Sequence, residues 1–199
     1  MTTAIATINP AKTALLLMDF QSAMLASIDK PEDLLARTRA VLSWARSENI
    51  QVCYVRVAFT DEDFRAVPAH SKAFAAVAQN KFLAAGSPEA QIDESLEIRD
   101  EDIVVRKTRF GAFSTTSLYS RLHAKGIDTL ILAGISTAGV VLSSVRDAGD
   151  EDYRIYVLSD ATADPDPEVH RILTERVFPN QAEVITTADL LALGQSLGR

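Results

Sequence analysis

Short apolar runs alternating with longer amphipathic ones predict an α/β chain, with a three-layer αβα, Rossmann-like fold around a six-stranded parallel sheet. Three observations carry this reading. The apolar runs are rich in Val, Ile and Leu, as strands covered on both faces must be. The segments between them have helical periodicity and the length that a right-handed crossover needs. No repeat, low-complexity tract or Pro/Gly-rich linker interrupts the series, so the 199 residues are read as one domain, 1–199.

The first strand, Thr13–Met18, reads TALLLM and is apolar throughout after its threonine. The helix Asp33–Glu48 follows, with Leu34, Leu35, Thr38, Val41, Leu42 and Ala45 near one stripe and Glu32, Arg37, Arg39 and Arg46 largely off it. Val52–Val57 is the second strand. The stretch Thr60–Asp102 is longer than an ordinary connection and is expected to carry helices and a lid. Strands Ile103–Arg106, Thr129–Ala133, Arg154–Leu158 and Ala182–Ile185 complete the sheet. Helices Ser114–Lys125, Thr137–Gly149, Pro167–Val177 and Ala188–Leu197 separate and close them.

Composition narrows the function. There are 20 basic against 27 acidic side chains, for a formal charge of −7, and no concentrated Lys/Arg surface to meet a phosphate backbone, so no nucleic-acid partner is expected. No apolar run approaches the ~20 residues of a membrane span, and MTTAIATINP lacks a basic n-region and a long apolar stretch, so a cytoplasmic protein is expected. The single cysteine, Cys53, excludes an internal disulfide and a Cys-rich metal site. His70, His123 and His170 lack metal-ligand spacing, and no GxGxxG follows the first strand. Neither a metal nor a cofactor is expected; the partner is a small-molecule substrate.

In an open parallel sheet, ligands bind beyond the carboxyl ends of the strands. Asp19 ends the first strand, an uncomfortable place for a charge unless something makes its burial worthwhile. Lys107, flanked by Arg106 and Arg109, ends the third. The fourth exits as LILAGISTAGVV, where Gly134 permits a tight turn and Ser136 and Thr137 suit helix capping. The N–H groups of that helix start would offer an anion or oxyanion site. Asp160, also at a strand end, is read as a cap or turn residue without chemistry.

These segments resemble the isochorismatase-like hydrolases, also called the cysteine hydrolase family. The resemblance rests on LLLMDFQ, VCYVRVAF, VRKTRFGAFSTTSL and LILAGISTAGVVLSSVRDAGDEDY, in order, over almost the whole chain. It implies a six-stranded parallel sheet between helices and a homodimer or larger homo-oligomer. Members that cleave amides use an Asp, a Lys and a Cys; the first two transfer onto Asp19 and Lys107. The cysteine position is Val140 here. Members that hydrolyse a vinyl ether carry Gly at that position, so the missing thiol changes the expected chemistry without abolishing it. The resemblance also implies a non-proline cis peptide at Ile135–Ser136. The metal-binding branch carries Asp-x-His after the second strand, where this chain reads VRVAFTDEDF.

Cys53 does not replace the missing thiol, because four residues at ~3.3 Å each put it about 13 Å from the strand exit. The expected reaction is thiol-independent hydrolysis, with Asp19 as acid/base and Lys107 as its charge partner. Phe20 and Phe113 are expected to form a flat apolar wall. Gln21 and the backbone of Ile135, Ser136, Thr137 and Gly139 would orient polar substrate groups, and Arg109 would pair with a carboxylate. The alternative is a catalytically silent member that binds a small molecule or assembles with a partner.

Overall fold

The structure, a computed structural model, describes residues 8–195. Six parallel strands form one sheet in the order β3-β2-β1-β4-β5-β6. These are β1 Thr13–Met18, β2 Gln51–Val57, β3 Ile103–Lys107, β4 Thr129–Ile135, β5 Arg154–Ala163 and β6 Glu183–Ile185. The helices are α1 Ser22–Leu25, α2 Pro31–Ser47, α3 Asp61–Ala66, α4 Ala75–Gln79, α5 Leu118–Ala124, α6 Leu142–Asp150, α7 Pro167–Ile172 and α8 Thr187–Gln195.

The pleat explains the continuous apolar strands. In β1, Leu15 and Leu17 join the core under α2 and α8, whereas Ala14, Leu16 and Met18 join the core under α5 and α6. Leu34, Leu35, Thr38, Val41, Leu42 and Ala45 form the buried stripe of α2, as its periodicity predicts. A third, smaller apolar cluster lies over the strand exits. It unites Val57, Ala58 and Phe59 with Phe64, Phe74, Leu83 and Ala90, so the long connection after β2 is a built cover carrying α3 and α4.

Four elements differ from the sequence expectation for identifiable reasons. The helix expected over Ser114–Lys125 begins only at Leu118, because the preceding turn uses the Thr115 and Thr116 hydroxyls to bind the Thr108 and Leu118 N–H groups. The helices expected over Thr137–Gly149 and Pro167–Val177 each contain a π-helical turn, at Thr137–Val141 and Leu173–Val177. The fifth strand runs on to Ala163, past a bulge where Leu132 faces Val157 but Gly134 faces Thr162. Within that bulge Asp160 accepts from the Thr187 N–H at 2.7 Å and lies 2.8 Å from its hydroxyl, capping α8. Of the helix expected over Ala188–Leu197, Ser196 and Leu197 lie outside the described residues.

Candidate active site

Strand order reverses between β1 and β4, and there the topology opens a crevice. Met18 pairs with Gly134, so Asp19, on leaving β1, stands beside Ile135 at the end of β4. A Cβ on Gly134 would stand 2.7 Å from the Met18 carbonyl oxygen, so the close approach requires glycine. Asp19 turns out of β1 at φ +58°, a left-handed conformation that Asp tolerates better than most residues, and its N–H still donates to the Val55 carbonyl. The Ile135–Ser136 peptide is cis, as the resemblance implied.

Lys107 ends β3, two strands from β1, or roughly 10 Å at the usual strand spacing. Its long side chain crosses the end of β2, and Nζ lies 2.8 Å from Asp19 Oδ2. Nζ also donates to the Arg109 carbonyl at 3.1 Å. Both residues are almost fully buried, at 4% and 2% exposure. Asp19 Oδ1 has no hydrogen-bond partner among the described residues. Burial pushes the Asp19 carboxyl up to about 6, against the opposing pull of the Lys107 ammonium. The site therefore holds a carboxyl group that exchanges its proton near neutrality.

The pair faces a cavity of about 200 Å³. Ile135, Ser136, Gly139 and Val140 form its β4 side, and Arg109 and Phe110 flank Lys107. Val57, Phe59, Phe74, Phe82, Leu83 and Met24 supply most of the remaining wall. Val140, standing where the resemblance puts a thiol, is buried against this space. Cys53 is buried within the opposite part of β2, packed in the core under α5 and α6, and burial pushes its thiol far above the usual range. It takes no part in the site.

The structure thus brings together Asp19, Lys107, Arg109, Ile135, Ser136, Gly139 and Val140. Four expected contacts lie elsewhere. Phe20 is buried in the core under α2. Gln21 is fully buried, and its amide is spent on backbone: Oε1 accepts from the Val57 N–H, and Nε2 donates to the carbonyls of Val57 and Ala90. Phe113 packs in the opposite core with its ring 6.4 Å from that of Tyr153. Thr137 is buried, with its hydroxyl 2.8 Å from His170 Nδ1.

The helix start after β4 is also less open than its sequence suggests. Asp164 accepts from the Ala138 N–H at 2.8 Å, and Ser136 Oγ accepts from the Gly139 N–H at 3.1 Å. A carboxylate of the chain itself occupies the anion position.

Sequence reasoning missed the aromatic cover. Phe59, Phe74 and Phe82 lie in irregular backbone where neither strand nor helix period applies. The available signal was the recurrence of Phe between a strand exit and the next strand. Phe110, adjacent to Arg109, was passed over for Phe113.

Among the described residues there is no group of His, Cys, Asp or Glu arranged to hold a metal ion, and no helix long and apolar enough to cross a membrane.

Comparison with known proteins agrees with this architecture. A ureidoacrylate amidohydrolase, RutB, from Rhizobium rhizogenes is 32% identical over 178 residues, covering 78% of this chain and 72% of the relative. The uncharacterized isochorismatase family protein YwoC from Bacillus subtilis is 28% identical, covering 90% of this chain and 93% of its own. The crystal structure of a cysteine hydrolase from Pseudomonas syringae pv. phaseolicola superposes with a TM-score of 0.86 at 25% identity, over 98% of this chain and 99% of that one. The isochorismatase domain matches residues 13–189, nearly the whole described fold, and the chain belongs to the isochorismatase family.

Proposed function

We propose that this family member hydrolyses a vinyl ether, imine or related C–O or C–N bond of a small molecule without a thiol nucleophile, using Asp19 as acid/base and Lys107 as its charge partner. One observation carries the reading: Lys107 holds one Asp19 oxygen while the other stays unpartnered beside an apolar cavity whose thiol position is Val140. Protonated Asp19 gives its proton to an electron-rich carbon or heteroatom of the substrate. The electrophilic centre so formed adds water; as the carbon–heteroatom bond breaks, one proton of that water passes to the departing heteroatom and the other returns to the carboxylate. Lys107 stabilises the carboxylate between these steps. The apolar wall keeps that interaction strong by excluding bulk water.

The test is turnover of isochorismate and of a panel of enol ethers, imines, cyclic imides and amides. The RutB name puts C–N bonds in that panel. Turnover by the native protein that falls by about 10²–10⁴ in Asp19→Asn supports the proposal. Turnover that survives Asp19→Asn contradicts it. Val140→Cys is expected to gain amide or imide hydrolysis, because it returns a thiol to the Asp19–Lys107 cavity.

Val140 favours a second reading, a catalytically silent protein that keeps the cavity for binding. Ligand binding with no turnover across the panel selects it. The four-motif resemblance supports a homodimer or larger homo-oligomer, which light scattering checks; the cytoplasmic location expected from the composition is checked by cell fractionation.

A further inference from the structure

Asp19 keeps one oxygen free although a backbone donor lies close by. The Val57 N–H, at the end of β2, is near enough to the Asp19 carboxyl to favour its ionised form. That donor is engaged elsewhere: Gln21 Oε1 accepts it at 2.8 Å, and Asp19 Oδ1 is left buried without a partner among the described residues. Two acceptors therefore flank one donor, and the amide holds it. The geometry explains the outcome. Gln21 Nε2 donates to the Val57 carbonyl at 2.9 Å and to the Ala90 carbonyl at 2.8 Å, so the amide is clamped along the Val57 backbone. Gln21 is fully buried, and its N–H donates to the Asp19 carbonyl at 2.8 Å, which fixes the two side chains relative to each other. Asp19 is held from its other oxygen, with Oδ2 2.8 Å from Lys107 Nζ. Few charges bear on it. Lys107 of β3 acts on the carboxyl directly, and Arg109 is the other cation on the cavity wall. Val57 of β2, Met24 of α1 and Ile135, Ser136 and Val140 beside β4 line the same cavity without charge. The titration of Asp19 is therefore a sensitive reporter of any hydrogen bond to Oδ1.

We infer that Gln21 is a positioning residue for Asp19: by holding the Val57 N–H on its own amide oxygen, it withholds that donor from the carboxylate and leaves Oδ1 free beside the cavity. The use of Oδ1 to deliver a proton rests on the proposed reaction; the competition for the Val57 N–H does not. A hydrogen bond from that N–H would favour the carboxylate over the acid, and would occupy the oxygen that faces no other partner. Gln21 thus acts on the chemistry without touching the substrate.

The experiment is an NMR titration of the full chain, with carbon-13 in the aspartate side chains and nitrogen-15 in the backbone, for the native protein, Gln21→Met, Gln21→Glu and Arg56→Met. Methionine keeps the bulk of Gln21 and removes its acceptor. In Gln21→Met the Asp19 carboxyl is expected to titrate about one pH unit or more below its native value, a tenfold or greater fall in proton affinity, as one charge-assisted hydrogen bond produces. The Val57 amide proton is expected to titrate with it, moving downfield as Oδ1 ionises. Gln21→Glu restores an acceptor for the Val57 N–H and is expected to prevent the fall. Arg56 is the control for a loosened cover, since its guanidinium donates to the Ala85 and Ala90 carbonyls. Arg56→Met is expected to leave the Asp19 titration at its native value. An Asp19 titration unchanged in Gln21→Met overturns the inference. So does a fall that the Val57 amide does not follow, which marks entry of water, or an equal fall in Gln21→Glu or Arg56→Met. If thermal melts show that Gln21→Met does not fold, the native protein decides. A Val57 amide that stays flat while Asp19 titrates supports the inference, and one that moves downfield with it shows the donor already on Asp19 and overturns it. Turnover is read separately: activity indifferent to Asp19→Asn removes the proposed reaction and leaves this result standing.

Discussion

Asp19 has two unlike oxygens, one bound to Lys107 and one unpartnered, and burial governs its titration against the pull of the Lys107 ammonium. Its folded pKa of about 6 lies above the ordinary carboxylate value, so the folded chain holds this proton more tightly than the unfolded chain does. The associated stabilisation is full below about pH 4 and is lost as pH rises through about 6. Over that window the native protein is expected to lose on the order of 3 kcal/mol relative to Asp19→Asn, measured by chemical denaturation at several pH values. The acid form is also the one the first proton transfer uses, so kcat/KM is expected to fall about tenfold per pH unit above about 6, a limb that Asp19→Asn removes. At Val140 a thiol would stand beside the pair, whereas Cys53 is shielded in the core. A thiol reagent is expected to label Val140→Cys once under native conditions and the native protein not at all.

Among the elements, the cover over the strand exits is tied to the sheet by Gln21 of the β1 exit together with Arg56 of β2, which donates to the Ala85 and Ala90 carbonyls. The Gln21 amide joins β2 to the Ala90 turn through three buried hydrogen bonds. Gln21→Ala removes these bonds and leaves the Val57 N–H without its acceptor, while the Ala90 carbonyl keeps the Arg56 guanidinium, at an expected cost of about 1–3 kcal/mol in denaturant titrations, with amide exchange accelerated around Ala85–Ala90. β1 and β4 are coupled as tightly at the switch point. Gly134→Ala drives a methyl group against the Met18 backbone and is expected to cost about 1–3 kcal/mol while displacing Asp19, so stability and activity fall together.

These elements also set what the sequence disclosed. Asp19 and Lys107 were legible because each follows a buried strand, and a charge there is conspicuous. Gln21 and Phe20 were misassigned as substrate contacts because a residue beside a catalytic acid is as easily turned into the core as into the cavity. The aromatic cover was illegible in its details because tertiary packing of an irregular connection, not periodicity, decides which Phe faces the site.

At the scale of the molecule, chemistry and much of the polar reinforcement lie at opposite ends of the sheet. Asp102, just before β3, is buried and forms an ion pair with the partly buried Arg46 of α2 at 2.9 Å and also accepts from the Arg99 N–H. Lys107, five residues on, is roughly 16 Å away by strand rise. Asp102→Ala is expected to destabilise the fold by about 1–3 kcal/mol, because it removes the carboxylate that Arg46 and the Arg99 N–H share, and to leave kcat unchanged. The fold class was legible because six apolar runs with crossover-length spacings permit few topologies. The bulge in β5 was not, since SDATA breaks the strand pattern in sequence while the chain rejoins the sheet beside Gly134.

The account depends on a carboxyl group whose pKa burial beside an apolar cavity raises to about 6, and a carbon-13 NMR titration of labelled aspartate side chains reads that directly. One resonance is expected to titrate near pH 6 and to vanish in Asp19→Asn. If every aspartate titrates in the ordinary carboxylate range, or the resonance near 6 persists in Asp19→Asn, Asp19 is not the proton donor described above.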